Sequence, residues 1–144
     1  MKAAVLFLSA TMVAALCPDA AAEEAGKAAP ALSLDLNDAQ PSDKGCRLTF
    51  VVTNELGADL SRAGFEIALF NEAGVVDRLT VLEFQNLPAG KTKVTRFDLA
   101  GVDCTRVSRV LVNSATECTG SAIDPTACMR ALKTSARAGI AFGV

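Results

Sequence analysis

Residues 46–52, with the sequence CRLTFVV, restrict the possible folds more than any other stretch of the chain. Apolar and polar residues alternate along this segment, and a period of two is typical of a β-strand with one buried face. A helix is disfavoured because threonine, phenylalanine and adjacent valines favour strands. Cys46 lies on the same face as Leu48, Phe50 and Val52. The pattern therefore predicts a core strand that begins at a buried cysteine.

Strand patterns recur along the rest of the chain at short intervals. Turn signals containing Gly, with Pro or Asn, occur at residues 40–45, 71–74 and 87–90, whereas residues 54–64 form a longer polar connection. The predicted strands cover residues 32–37, 46–53, 65–69, 75–84, 91–99, 107–113 and 140–144. About seven short strands at this spacing predict an all-β fold, an immunoglobulin-like antiparallel β-sandwich. Asp124 before Pro125 predicts a short helix that Asp124 caps and that continues through Arg130 or further.

The N-terminus has the layout of a secretory signal peptide. Lys2 precedes an uncharged apolar run over residues 3–16, and alanines at 20–22 supply a small-residue cleavage site. We expect a signal peptide over residues 1–22, a flexible segment over 23–30 and a β-sandwich domain over 31–144. The apolar run is shorter than the ~20 residues that cross a bilayer, so no membrane insertion is expected after cleavage. Leu16 makes Cys17 a poor lipoprotein site, and the expected location is the periplasm.

An exported chain keeps four cysteines after cleavage, and an even number predicts disulfides. Those cysteines are Cys46, Cys104, Cys118 and Cys128, and they allow three pairings. Zinc and thioredoxin-like redox sites are disfavoured because the chain has no histidine and no C-x-x-C spacing. Gly120 and the Asp124-Pro125 turn favour a bridge from Cys118 to Cys128. In the immunoglobulin-like strand order, the second and fifth strands are antiparallel neighbours, which brings Cys104 close to Cys46.

The residue inventory argues against an enzyme. Without histidine, Ser–His–Asp and Cys–His arrangements are impossible. The candidate carboxylate pairs are Asp35 with Asp38, Asp43 with Asp59 and Glu66 with Asp77. We expect all of them in turns or on solvent faces, where nothing tunes their pKa values for acid–base catalysis. A calcium site formed by Asp35, Asn37 and Asp38 lacks the loop signature of such sites, and no cofactor is predicted.

The charge pattern gives no sign of a nucleic-acid partner. The net charge is −2 and the isoelectric point is about 5.1, so the chain has no basic field. Lys91, Lys93 and Arg96 form the densest cationic group, and we interpret them as the solvated face of a strand.

The sequence resembles the FxLYD class of bacterial extracytoplasmic immunoglobulin-like domains. The matching residues are Val52, Asn54, Phe65, Leu69, Phe70, Asn71, Gly74, Pro88 and Gly90. Two of them depart from the pattern, since Phe70 replaces its tyrosine and Asn71 its aspartate. The chain is also similar to small uncharacterised exported proteins of proteobacteria with the pattern LSL-x-LN, PSD-x-GCRLTFVV-x-N-x-LGAD and DRLT. These resemblances imply the fold and the compartment, and no activity.

Two functions fit these observations. The first is a non-catalytic module that binds a protein of the cell envelope or assists its assembly. Its candidate contacts are Phe70 and Val51, because they are apolar residues on polar strand faces. The partner and the oligomeric state are left open by the sequence. The alternative is an inhibitor of a protease or lysozyme that inserts residues 54–64, or the loop from Cys118 to Cys128, into its target.

Overall fold

The computed structural model describes residues 26–144, and its chain forms two four-stranded sheets. The strands are β1 (Ala31–Ser42), β2 (Gly45–Glu55), β3 (Leu60–Asn71), β4 (Val76–Leu87), β5 (Thr92–Ala100), β6 (Val107–Gly120), β7 (Leu132–Ala136) and β8 (Ala141–Gly143). A 3-10 turn, Cys104–Arg106, precedes β6, and a four-residue helix, α1 (Ala127–Arg130), precedes β7. The predicted signal peptide and Cys17 lie outside the described residues.

The two sheets pack face to face as a sandwich. The first sheet has the order β5-β2-β1-β7 and the second has the order β4-β3-β6-β8. β2 and β5 are antiparallel neighbours, and Cys46 lies opposite Leu99 near the end of β5. The predicted all-β sandwich and its pairing of the second and fifth strands are therefore confirmed. The described chain has eight strands rather than about seven, and β7 is the unexpected one.

The core lies between the sheets and follows the predicted alternation. Cys46, Leu48, Phe50 and Val52 are all at most 1% exposed. Phe50 packs edge-to-face against Phe84, with ring centroids 5.7 Å apart, in a geometry that aromatic pairs prefer. Burial of these side chains, at about 2 kcal/mol each, holds the sheets together.

Two connections are shorter than the sequence suggests. The turn predicted over residues 40–45 contains only Asp43 and Lys44, because β1 and β2 continue to it on either side. The polar connection predicted over residues 54–64 contains only residues 56–59. The strands continue into both segments predicted as connections. These strand ends were predicted as loops because their residues are polar, although their backbones still pair across the sheet.

β6 was also predicted too short, ending at residue 113 instead of Gly120. Its pairing with β3 shifts register at several points, including between Gly64 and Phe65. Three of the four register shifts place an extra residue on β6, and each of these breaks the period of two. The second half of this strand therefore shows no alternation in the sequence.

The last two strands close one side of the sandwich. β7 pairs in parallel with β1 in the first sheet, and the chain then crosses to the second sheet, where β8 pairs in parallel with β6. The predicted short helix ends at Arg130, but Thr126 is its N-cap residue and makes no side-chain cap bond. Asp124 instead accepts hydrogen bonds from the backbone and hydroxyl of Thr126, at 2.8 Å each.

Candidate functional site

The two disulfides have the predicted pairing and lie at opposite ends of the sandwich. Cys46 and Cys104 have Cα atoms 4.9 Å apart, and Cys118 and Cys128 have Cα atoms 5.8 Å apart. Cys46 and Cys128 are fully buried. Structural disulfides of this kind are typical of proteins outside the cytoplasm, in an oxidising compartment.

The fold separates two of the three candidate carboxylate pairs. Asp35 and Asp38 lie on one face of β1 because of the bulge between them, but Asp35 accepts a hydrogen bond from Ser135 and Asp38 accepts one from Gln40. Asp43 and Asp59 lie at opposite ends of the eleven-residue strand β2. Glu66 accepts a hydrogen bond from Asn113 at 2.6 Å and lies opposite Val81, four residues along β4 from Asp77. No cluster of three or more potential metal ligands occurs within residues 26–144.

Asp35 has a structural environment on the outer face of the first sheet. Its carboxylate accepts a hydrogen bond from the Ser135 hydroxyl at 2.6 Å and a longer one from the Asn37 amide at 3.3 Å. The Arg137 guanidinium lies 3.6 Å away. The Ser135 hydrogen bond is the main cause that lowers the pKa of Asp35 below its usual value. Since Asp35 is on β1 and Ser135 on β7, this contact fastens the edge strand to the sheet. The contact gives the Asp35 carboxylate a structural role and does not support a calcium site.

Asn54 has a different structural role at the end of β2. Its side chain is fully buried and donates hydrogen bonds to the carbonyls of Ala58 (2.9 Å) and Leu87 (2.8 Å), while its Oδ1 accepts one from the Leu56 amide. Its backbone carbonyl also accepts a hydrogen bond from the Gly90 amide. A buried amide with every polar group paired is stabilising. Asn54 therefore holds both the connection to β3 and the turn between β4 and β5.

The side of the sandwich opposite β7 and β8 is bounded by two long free strand edges, those of β4 and β5, and we call it the open side. Two cationic side chains cross it. Arg78 of β4 donates to the carbonyl of Ala100 at 2.6 Å, and Lys93 of β5 donates to the carbonyl of Gln85 at 2.7 Å. Between these two contacts, the edge of β4 has no partner in the described part of the chain.

Exposed apolar side chains are concentrated at the open side. Six large hydrophobic residues among those described are exposed, and five of them lie on β4, just before it, or on β5. These five are Val75, Val76, Leu79, Val81 and Val94. Leu79 is 57% exposed and Val94 is 55% exposed. Such a concentration marks interaction surfaces more often than scattered single residues do.

The apolar surface continues onto the outer face of the second sheet. Ala68 of β3 lies directly between Leu79 of β4 and Leu111 of β6. Phe70 is half-buried beneath the guanidinium of Arg109, whose carbon lies 5.5 Å from the ring centroid. Phe70 therefore lies on the outer face of β3, where the alternation of the sequence placed it, and Arg109 partly covers it.

The other predicted contact, Val51, is half-buried on the outer face of the first sheet, opposite Val94. Leu79 and Val81 were not singled out in the sequence, since apolar residues occur on both faces of β4 and its pattern does not show which face is buried. The presence of apolar residues on both faces of β4 is the feature that could have indicated them. It predicts an exposed apolar surface once β4 is known to be an edge strand.

A shallow cleft of about 490 Å³ lies at one end of the open side, between the β4–β5 turn and the end of β6. Polar residues of the lining include Asp59, Ser61, Asn86 and Thr119. The Asp59 carboxylate accepts a hydrogen bond from the Ala89 amide at 2.8 Å, which ties it to the turn. The Asp59 carboxylate therefore has a structural role in the cleft. The residues that line the cleft include no lysine or arginine.

Comparison with family models, with curated proteins and with solved structures finds no match to this chain. Among residues 26–144, no helix has the length and apolar character needed to cross a membrane.

Proposed function

We propose that the chain is a non-catalytic periplasmic protein that binds another protein through its open side. The observation that carries this proposal is the coincidence of exposed apolar side chains with two free strand edges. An edge strand offers backbone donors and acceptors, and apolar neighbours add affinity when a second chain pairs with it. The absence of histidine supports the non-catalytic part.

The other edges of the sandwich support the choice of the open side. β7 has five residues and β8 has three, whereas β4 has twelve and β5 has nine. Short edge strands offer few unpaired backbone groups. The β7–β8 side is therefore poorly suited to strand addition, and the open side is well suited.

An inhibitor of a hydrolase remains the alternative, but no observation favours it. Residues 56–59 form a short connection whose backbone is hydrogen-bonded to Asn54. A loop that enters an enzyme cleft needs to protrude, and most of residues 54–64, the first predicted inserting loop, belongs to β2 and β3. The second, from Cys118 to Cys128, begins in β6, ends in α1 and is closed by its disulfide.

Site-specific photocrosslinking in living cells tests the proposal. A photoreactive amino acid replaces Leu79 on the open side or, as a matched control, Lys133, which is exposed on β7 at the opposite side. We expect a discrete crosslinked protein adduct from position 79 and none from position 133. Equal adducts from both positions, or none from position 79, would contradict the proposal.

A further inference from the structure

The two edges of the open side carry an excess of charge of opposite sign. On β4 the exposed charged residues without an ion pair among the described residues are Asp77 and Glu83. On and just before β5 they are Lys91, Lys93 and Arg96. The β4 edge is therefore acidic and the β5 edge is basic.

Internal contacts hold the two residues whose charges are opposite to those of their own edge. Arg78, the cation of β4, donates to the Ala100 carbonyl at the end of β5. Asp98, the anion of β5, accepts two hydrogen bonds from Arg47, at 3.0 and 3.2 Å. Asp98 is thereby paired within the first sheet, and its pKa is lowered chiefly by the Arg47 hydrogen bond. With Arg78 and Asp98 counted, acidic residues still outnumber the cation on β4, and basic residues outnumber the anion on β5, so the two edges stay opposite in charge.

From this complementarity we infer that the open side binds a second copy of this chain, with β4 of each copy beside β5 of the other. The inference rests on the proposed function, because it names the partner of the same surface. β4 and β5 lie in different sheets but on the same side, joined by a four-residue turn. A two-fold axis parallel to the strands therefore forms both pairs at once and gives a closed dimer.

Charge selects this arrangement over the other symmetric one. A two-fold axis perpendicular to the sheets would place β4 against β4 and β5 against β5, so that acidic residues meet acidic ones and basic residues meet basic ones. In the crossed arrangement, Glu83 on β4 of one copy lies beside β5 of the other copy, which carries Arg96. The dimer contains this contact twice. It also places the strand of a second copy beside Leu79, Val81 and Val94 on the outer faces, which gives these exposed apolar side chains new neighbours.

Sedimentation equilibrium of the full processed protein, with both disulfides formed, measures the association. We expect the wild-type mass to double with concentration. Glu83→Lys and Arg96→Glu each place like charges opposite one another at two positions in the dimer, and each is expected to weaken self-association about tenfold or more. Lys133→Glu, on the far side of the sandwich, is the matched control and is expected to leave association unchanged.

Mixing the two variants provides the decisive measurement. A heterodimer of Glu83→Lys with Arg96→Glu has opposite charges at both crossed contacts, so mixing is expected to restore association to near the wild-type level. Restoration also shows that both variants are folded. A monomeric wild-type protein, single variants that associate as the wild type does, or a mixture that stays monomeric would overturn the inference.

Failure of this inference is distinguishable from failure of the proposed function. If the wild type is monomeric but position 79 crosslinks to a different protein, the second-copy inference is wrong and the binding module stands. If the wild type is monomeric and position 79 yields no adduct, both are wrong.

Discussion

The two sides of the sandwich are built in different ways. On the β7–β8 side, which we call the closed side, the chain crosses from one sheet to the other, and the Cys118–Cys128 bridge fixes the segment that leads into β7. On the open side the chain joins the sheets at the turn between β4 and β5, which Asn54 holds through the Leu87 carbonyl. Away from the turn, hydrogen bonds from Lys93 and Arg78 link the two edge strands. The difference suggests that the first side serves stability, whereas the open side keeps its edges accessible.

Removing the covalent link on the closed side is expected to have the largest effect. The double variant Cys118→Ser/Cys128→Ser releases a loop with a sequence separation of 10. In the chain-entropy model this lowers the free energy of unfolding by about 3 kcal/mol. Chemical denaturation of the variant and the wild type measures it. A loss below about 1 kcal/mol would show that the bridge does little for the closed side.

The matching change on the open side is Asn54→Ala. The variant leaves the carbonyls of Ala58 and Leu87 without their side-chain donor, and the expected loss is about 2 kcal/mol in the free energy of unfolding. Asn113→Ala, at an exposed asparagine, is the control and is expected to change stability by less than about 0.5 kcal/mol. Equal effects of the two variants would mean that the open side does not depend on Asn54.

A smaller effect is expected from Asp35→Asn, which weakens the contact between β1 and β7. We expect a loss of about 1 kcal/mol at neutral pH, because the Ser135 hydroxyl then donates to a neutral amide oxygen instead of a carboxylate. The folded-state pKa of Asp35 lies below the ordinary value of 3.8, so its contribution is present above that value and is lost as the pH falls through the folded-state pKa.

Denaturation of both proteins over a pH series checks this pH dependence. The stability difference between the wild type and Asp35→Asn is expected to shrink on acidification. A difference that stays constant down to about pH 2 would contradict the role given to the carboxylate.

The smallest effect on stability is expected at the apolar surface. Leu79→Ser with Val81→Thr changes exposed side chains, so the free energy of unfolding is expected to stay within about 0.5 kcal/mol of the wild type. The same variant is expected to lose the adduct formed from a photoreactive residue at position 94. A loss of stability above about 1 kcal/mol would show that these side chains serve the fold and not binding.

The sequence was sufficient for the parts of the fold that follow from local alternation. The buried face of β2 and the partners of Cys46 and Cys118 could be predicted because the strand pattern and the turn signals agree. β7 could not be predicted, because LKTSA has one large apolar residue and pairs with a strand about 100 residues earlier. The surface at Leu79 was missed because its exposure depends on the position of β4 at a sheet edge.

The most direct test of the central claim is hydrogen exchange of the wild-type protein, compared between dilute and concentrated samples. If the open side is the binding surface, amide exchange slows at high concentration in residues 76–84 and 92–98 and is unchanged in residues 132–143. Slowing in β7 and β8, or no concentration dependence in β4 and β5, would contradict the account.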